Sequence, residues 1–154
     1  TDSLTSEYAI KDNLQEEMLR ILLKRFIILC TRIAREKFSV SPEREKAFDM
    51  VRQFYVLVDN HFKEKKMVQD YANMLHRSPK TLSNLFTTCG LPSPLRIIHE
   101  RIEAEAKRLL LYSQKSAKEI TEILGFEDQA TFSRFFKKMT GESVSEYRKR
   151  EKQE

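Results

Sequence analysis

The sequence predicts an all-α fold, and three observations predict it. Only 3 Gly and 4 Pro interrupt 154 residues that are 33% charged and 40% hydrophobic, a balance suited to long helices with tight punctuation between them. Apolar residues recur at three- and four-residue spacing along several stretches, and no alternating apolar/polar run demands a strand. One pattern of apolar and turn residues also occurs twice, about 50 residues apart.

Length and composition bound what such a chain can do. One small domain with an appendage is expected, too little for a large enzyme with an elaborate pocket. Cys30 and Cys89 lie far apart with no second Cys or His at ligand spacing, which argues against a zinc site and a disulfide scaffold. No metal or cofactor is expected, and a reducing, cytoplasmic compartment fits. No apolar stretch approaches the roughly 20 residues that span a bilayer, and the N-terminus lacks the basic and apolar regions of a signal peptide. A soluble protein without a membrane partner is the expectation. Residues 1–62 hold 10 Lys+Arg against 10 Asp+Glu and residues 63–154 hold 18 against 13, so the net charge of +5 belongs to the C-terminal part. Local basicity attracts polyanions, although a solvated charged face has the same composition.

The first helix is expected from Ile10 to Phe38. Leu19, Leu22, Phe26, Leu29 and Ile33 form one apolar row and Leu23, Ile27, Cys30 and Ala34 a second. So wide a stripe needs a partner, and a homodimer through this helix is predicted. Phe38-Ser-Val-Ser-Pro42 breaks it, with Ser41 as N-cap and Pro42 as the first residue of a helix reaching Phe62. Ala47, Val51, Phe54 and Val58 share a face there. The basic run Lys63-Glu-Lys-Lys66 at its end can answer the helix dipole or reach a phosphate, and the sequence leaves both open.

The repeat follows. Ala72-x-x-Leu75, a turn, Thr81-Leu-Ser-Asn-Leu-Phe86 and Ser93-Pro94 return as Thr121-x-x-Leu124, a turn, Thr131-Phe-Ser-Arg-Phe-Phe136 and Ser143-Val144. In the first copy a short helix from Val68 to His76 gives way at Ser78-Pro79, an N-cap followed by proline. In the second, Ser116-x-x-Glu119 is a capping box, Gly125 ends that helix, and Asp128 caps the one running to Thr140. Helix, short turn, helix is the helix-turn-helix pattern. Ser93 to Tyr112 joins the copies, with Ile98, Ile102, Leu109 and Leu110 apolar and Glu103–Lys107 as a supporting pair. Twenty helical residues span roughly 30 Å, close to the roughly 34 Å turn of B-DNA that separates successive major grooves on one face.

The second helix of each copy carries the candidate contacts. Leu82, Leu85 and Phe86 face inward on the first, leaving Lys80, Thr81, Ser83, Asn84 and Thr87 outward. Phe132, Phe135 and Phe136 face inward on the second, while Gln129, Ala130, Thr131, Ser133, Arg134, Lys137 and Lys138 line the other side. Arg pairs bidentately with guanine and Asn or Gln with adenine, while Ser and Thr bond bases or phosphates, so this inventory suits double-stranded DNA. A solvated helix face is polar too; the paired turns, the spacing and the localised charge separate the two readings. Phe126, Phe132, Phe135, Phe136 and Tyr147 are read as core rather than as base-stacking platforms.

Ile120-Thr-Glu-Ile-Leu-Gly-Phe126, Gln129-Ala-Thr-Phe-Ser-Arg-Phe-Phe-Lys-Lys138, Thr140-Gly141 and Ser145-Glu-Tyr-Arg148 closely resemble the C-terminal signature of AraC/XylS-family transcription regulators. Ala106-Lys-Arg-Leu-Leu110 and Ser78-Pro-Lys-Thr-Leu82 resemble its connecting helix and first unit, so the likeness covers roughly residues 64–150. It implies a transcription factor inserting two recognition helices into successive major grooves, with Lys80, Ser83, Asn84, Gln129, Ala130, Ser133 and Arg134 at base-reading positions. It also implies that residues 1–40 are the dimerising tail of a sensor whose barrel this sequence does not contain. Residues 41–154 would then be the DNA-binding domain, with units at about 64–92 and 113–150. RNA polymerase is a further candidate partner. The chain departs from the pattern at Thr121 in place of Ala and at Val144 in place of Pro, so the last helix is expected to start less rigidly. In Thr87-Thr-Cys-Gly-Leu91 neutral Thr replaces a basic pair, and weaker phosphate binding by the first unit follows. Glu127 and Asp128 are expected to cap rather than touch DNA.

Two other classes compete with this reading. A protein-interaction module would need apolar residues where Lys80, Asn84 and Arg134 stand. An enzyme is not expected, because Cys89, His76 and His99 fall at separate helix ends and no Gly-rich phosphate loop is present.

Overall fold

The computed structural model describes residues 15–37 and 41–151. The expected helix start at Ile10, the break at Phe38 to Val40 and the side chains of Leu19 and Ala34 lie outside the described residues. Those residues form eight helices and no strand. The chain divides into two compact units, Thr1–Glu45 and Lys46–Glu154.

The first unit carries helix α1, Gln15–Lys37. Ile21, Leu23, Phe26, Ile27, Ile28, Leu29 and Ile33 are all exposed, Leu22 is half-buried, and Cys30 is an exposed free thiol. Helix α2 is Pro42–His61, opened by Ser41, whose Oγ accepts from the Arg44 N–H at 3.4 Å.

In the second unit α2 buries Val51, Phe54 and Val58, three of the four residues read onto its inner face, with Ala47 half-buried. Helices α3, Val68–Met74, and α4, Pro79–Thr88, form the first helix-turn-helix. The Phe54 ring lies 5.0 Å from Phe86 and 5.5 Å from Tyr71, so these three aromatics, all fully buried, hold α2, α3 and α4 together. Each such burial is worth about 1.5–3 kcal/mol. Helix α5, Pro94–Tyr112, buries Ile97, Ile98, Ile102, Ala106, Leu109 and Leu110 and touches both helix-turn-helix units. It also carries the half-buried Lys107–Glu103 pair, at 2.6 Å, that the sequence pointed to.

Helices α6, Ala117–Ile123, and α7, Gln129–Thr140, make the second helix-turn-helix, which α8, Val144–Glu151, closes. Ile120, Leu124, Phe132, Phe136 and Tyr147 are its buried core, with Phe126 and Phe135 half-buried against it. Thr121 is buried, yet its hydroxyl donates to the Ala117 carbonyl at 2.8 Å. The apolar site therefore accepts threonine without stranding a polar group. Helix α8 starts more firmly than the missing proline suggests. The Glu146 carboxylate accepts from the Ser143 N–H at 2.7 Å and the Glu146 N–H donates to Ser143 Oγ at 3.2 Å, a reciprocal cap in place of Pro.

Candidate nucleic-acid interface

Helices α4 and α7 each follow a turn closed by a left-handed residue and a side-chain cap. In the first unit His76 takes a left-handed conformation, φ 53°, the Arg77 N–H donates to the Ala72 carbonyl at 2.9 Å, and Ser78 Oγ caps α4 by accepting from the Thr81 N–H at 3.1 Å. In the second unit Gly125 has φ 67° and the Phe126 N–H donates to the Thr121 carbonyl at 3.1 Å. Asp128 then accepts from the Thr131 N–H at 2.7 Å and from its hydroxyl at 2.9 Å. The two turns share one geometry, with one extra residue, Glu127, before the second cap.

The turns present the predicted residues on the outer faces of α4 and α7. Lys80, Thr81, Ser83, Asn84 and Thr87 are exposed on α4, and Gln129, Ala130, Arg134, Lys137 and Lys138 on α7; Thr131 and Ser133 are half-buried. The hydroxyls of Thr81 and Thr131 are engaged by the caps, Thr81 Oγ1 lying 2.8 Å from Ser78 Oγ. Thr87 and Thr88, at the place of a basic pair, donate to the carbonyls of Ser83 and Asn84, each at 2.9 Å. Their hydroxyls turn back onto their own helix, so the end of α4 offers little to a polyanion.

Helix α7 carries more charge. Arg134 folds toward its N-terminus, donating from Nη2 to Thr131 Oγ1 at 3.3 Å and from Nε to the Ala130 carbonyl at 3.4 Å. The Asp128 carboxyl is held below the usual carboxylate range by the Thr131 N–H first, then by the Thr131 hydroxyl, with a contribution from the Arg134 charge. An acid, a hydroxyl and a guanidinium thus run in sequence along the exposed side of α7. Lys138 acts on α5, where burial first and then its ammonium push the His99 imidazole down. Arg148, at the tail, donates to the Lys115 carbonyl at 2.5 Å, tying α8 to the chain before α6.

The sequence left the basic run after α2 between two uses, and the structure shows a third for Lys66. Its Nζ donates to the Lys63 carbonyl at 2.6 Å and the Gly125 carbonyl at 2.7 Å, and lies 5.1 Å from the centre of the Phe126 ring. Tyr71, which sequence periodicity did not single out, donates from its hydroxyl to the Lys65 carbonyl at 2.8 Å. Cys89 is half-buried and packs on the core.

Known proteins match this arrangement. A family model described as a helix-turn-helix domain matches residues 71–150. The HTH-type transcriptional regulator YisR of Bacillus subtilis (strain 168) is 30% identical over 122 residues, covering 79% of this chain and 41% of its own length. The arabinose operon regulatory protein of Salmonella typhimurium is 36% identical over 92 residues, 60% of this chain and 31% of that protein. The chain therefore spans less than half the length of these relatives. Among solved structures, the C-terminal domain of AraT, a response regulator from Geobacillus stearothermophilus, is similar with a TM-score of 0.60 and 29% identity, covering 65% of this chain and 84% of that one. An AraC-type regulator from Chromobacterium violaceum shares the fold at 20% identity and a TM-score of 0.59, over 70% of this chain and 96% of its own.

Proposed function

This chain belongs to the AraC/XylS family of transcription regulators, and from that premise we propose that it reads DNA with α4 and α7 at once, one in each of two successive major grooves. DNA binding and transcription regulation belong to the family as a whole; the two-groove mode and its contacts are our reading. One observation carries it: two copies of the same capped turn, attached to a single helix α5, each present a polar exposed face. Lys80, Thr81, Ser83 and Asn84 contact DNA from α4, and Gln129, Ala130, Thr131, Ser133, Arg134, Lys137 and Lys138 from α7. Arg134 pairs with a guanine and Asn84 and Gln129 favour adenine. Neutral threonines at the end of α4 make the second unit the stronger contributor to affinity and sequence preference.

Residues 1–40 serve dimerisation and residues 41–154 bind DNA, through units at about 64–92 and 113–150. The exposed apolar side chains of α1 support a homodimer. The protein acts in the cytoplasm, and RNA polymerase is a further partner. Among the described residues no helix is long and apolar enough to cross a membrane.

Selection of bound sequences from a random DNA pool, followed by affinity against salt, tests the proposal. Two short conserved blocks about one helical turn apart, bound with steep salt dependence, support it. Salt-sensitive binding without a consensus overturns the sequence-reading part, and no binding at all favours a protein-interaction module.

A further inference from the structure

The segment 62–67 between α2 and α3 is a junction with three attachments. Phe62 is buried, and the Arg101 guanidinium from α5 lies 4.1 Å from the centre of its ring while pairing with Asp59 at 2.6 Å. This fastens the end of α2 to the connecting helix. The Tyr71 hydroxyl grips the Lys65 carbonyl, fastening the segment to the first helix-turn-helix. Lys66 reaches the carbonyl of Gly125, 59 residues on, in the turn that aims α7. The approach is close enough that a Cβ on Gly125 would come within 2.1 Å of the Lys63 carbonyl oxygen.

Helix α5 packs against both helix-turn-helix units, so one rod and the short connection Ser113–Ser116 join the second unit to the first. Packing on one rod still allows the second unit to tilt or slide along it. An attachment from a different element restricts that freedom, and Lys66 supplies one. Its ammonium meets two carbonyl oxygens at 2.6 and 2.7 Å, the short geometry of charge-assisted hydrogen bonds, with the Phe126 ring on a further side. Partial burial lowers its pKa, in keeping with an ammonium set against protein carbonyls.

We infer that Lys66 is a positioning residue for DNA reading: by bracing the turn at Gly125 against the end of α2, it fixes the separation of α4 and α7 and hence the spacing between the two DNA blocks that the protein accepts. The inference rests on the two-helix reading proposed above. Lys66 touches no base. Its effect is to make the second block's engagement follow the first without a search over orientations, which raises the effective concentration of α7 at its own block.

Two measurements on the full chain test this, one without DNA. Spin labels placed through Thr87→Cys and Lys137→Cys, on a Cys30→Ser, Cys89→Ala background, report the distance between α4 and α7. Lys66→Met keeps the apolar stem and removes the donor, so the distance distribution is expected to broaden; Lys66→Arg, which keeps charge and donors, is expected to restore much of the narrowness. An unchanged width in Lys66→Met overturns the inference, whatever the DNA results. The second measurement is affinity for the selected two-block site and for versions with one base pair added or removed between blocks. Lys66→Met is expected to lose about tenfold at the best spacing and to discriminate less among spacings, at unaltered salt slope. An equal loss at every spacing would mean a general stability effect and overturns the positioning role. If the unsubstituted protein selects only one block, the two-helix reading fails, while the label distances still decide whether Lys66 braces the units.

Discussion

His76 and Gly125 occupy the same place in the two helix-turn-helix units, each the left-handed residue that ends the first helix, at φ 53° and 67°. Only the second position crowds another segment. His76 is exposed and already carries its Cβ, so the cost there lies in the backbone conformation alone. A Cβ on Gly125 would instead meet the Lys63 carbonyl oxygen. The two turns therefore respond oppositely to exchange.

His76→Gly is expected to stabilise the protein by about 0.5–1 kcal/mol, because relief of the left-handed conformation outweighs the added freedom of the unfolded chain. Gly125→Ala is expected to cost more than about 2 kcal/mol, since it adds both a disfavoured φ and a backbone clash. Urea midpoints of the two variants against the unsubstituted chain check both signs.

Arg134 is held by Thr131, which Asp128 holds in turn. Arg134→Ala is expected to cost roughly 1–3 kcal/mol of specific binding and to relax preference at one base pair. Thr131→Val, which keeps the side-chain shape but removes the hydroxyl, is expected to weaken the same base preference by less, and Thr131→Ser to retain it. Unchanged preference in Arg134→Ala would sink the assignment.

Much of this arrangement was legible because it is local. Ser78-Pro79, Ser93-Pro94, Ser116-x-x-Glu119 and Asp128 each specify a helix start within four residues, and each caps the helix expected of it. Periodicity likewise identified Leu82, Phe86, Ile98, Ile102, Phe132 and Phe136 as buried. The Ser143-x-x-Glu146 cap is equally local, but Val144 in place of proline points the opposite way, toward a loose start. Lys66 had no local signal, because its partner at Gly125 is brought near only by the completed fold. The left-handed His76 was hidden for another reason: glycine announces such a conformation and histidine does not.

Glu119, Asp128 and Glu146 all have carboxyls held below the usual range. For Glu119 the main cause is the Ser116 N–H, for Asp128 the Thr131 N–H, and for Glu146 the Ser143 side chain. A depressed folded-state pKa means that the unfolded chain binds more protons as pH falls, so the caps' contribution is present above the unfolded value, about pH 4, and is lost as pH drops through the folded one. Stability is expected to fall on acidification below about pH 4. Asp128→Ser, which caps without titrating, is expected to flatten that dependence, as urea midpoints measured down the acid range will report.

The exposed apolar side chains of α1 lead to a further expectation. The protein is expected to be dimeric at micromolar concentration, because Phe26, Leu29 and Ile33 recur at helical spacing on an exposed surface. Phe26→Glu together with Ile33→Glu is expected to yield monomers while leaving the fold of residues 46–154 intact. Sedimentation across a concentration series decides this; a monomer mass at every concentration for the unsubstituted chain refutes it.

Tyr71 joins stability to the junction after α2. Burial, then the nearby charges of Asp70 and Glu64, push its hydroxyl up to about 12, while that hydroxyl donates to the Lys65 carbonyl at 2.8 Å. A group whose folded pKa is raised keeps its stabilising proton throughout the neutral range and loses that contribution only as pH climbs past the ordinary tyrosine value, roughly 10. Ultraviolet titration is therefore expected to show a tyrosine step at about 12, beside the raised Tyr55, and Tyr71→Phe to abolish the step at about 12. The same substitution leaves the Lys65 carbonyl without its donor and is expected to cost about 1 kcal/mol at neutral pH. If the late step persists in Tyr71→Phe, the hydroxyl that ionises late belongs to another tyrosine, and the grip of α3 on the junction is weaker than its geometry implies.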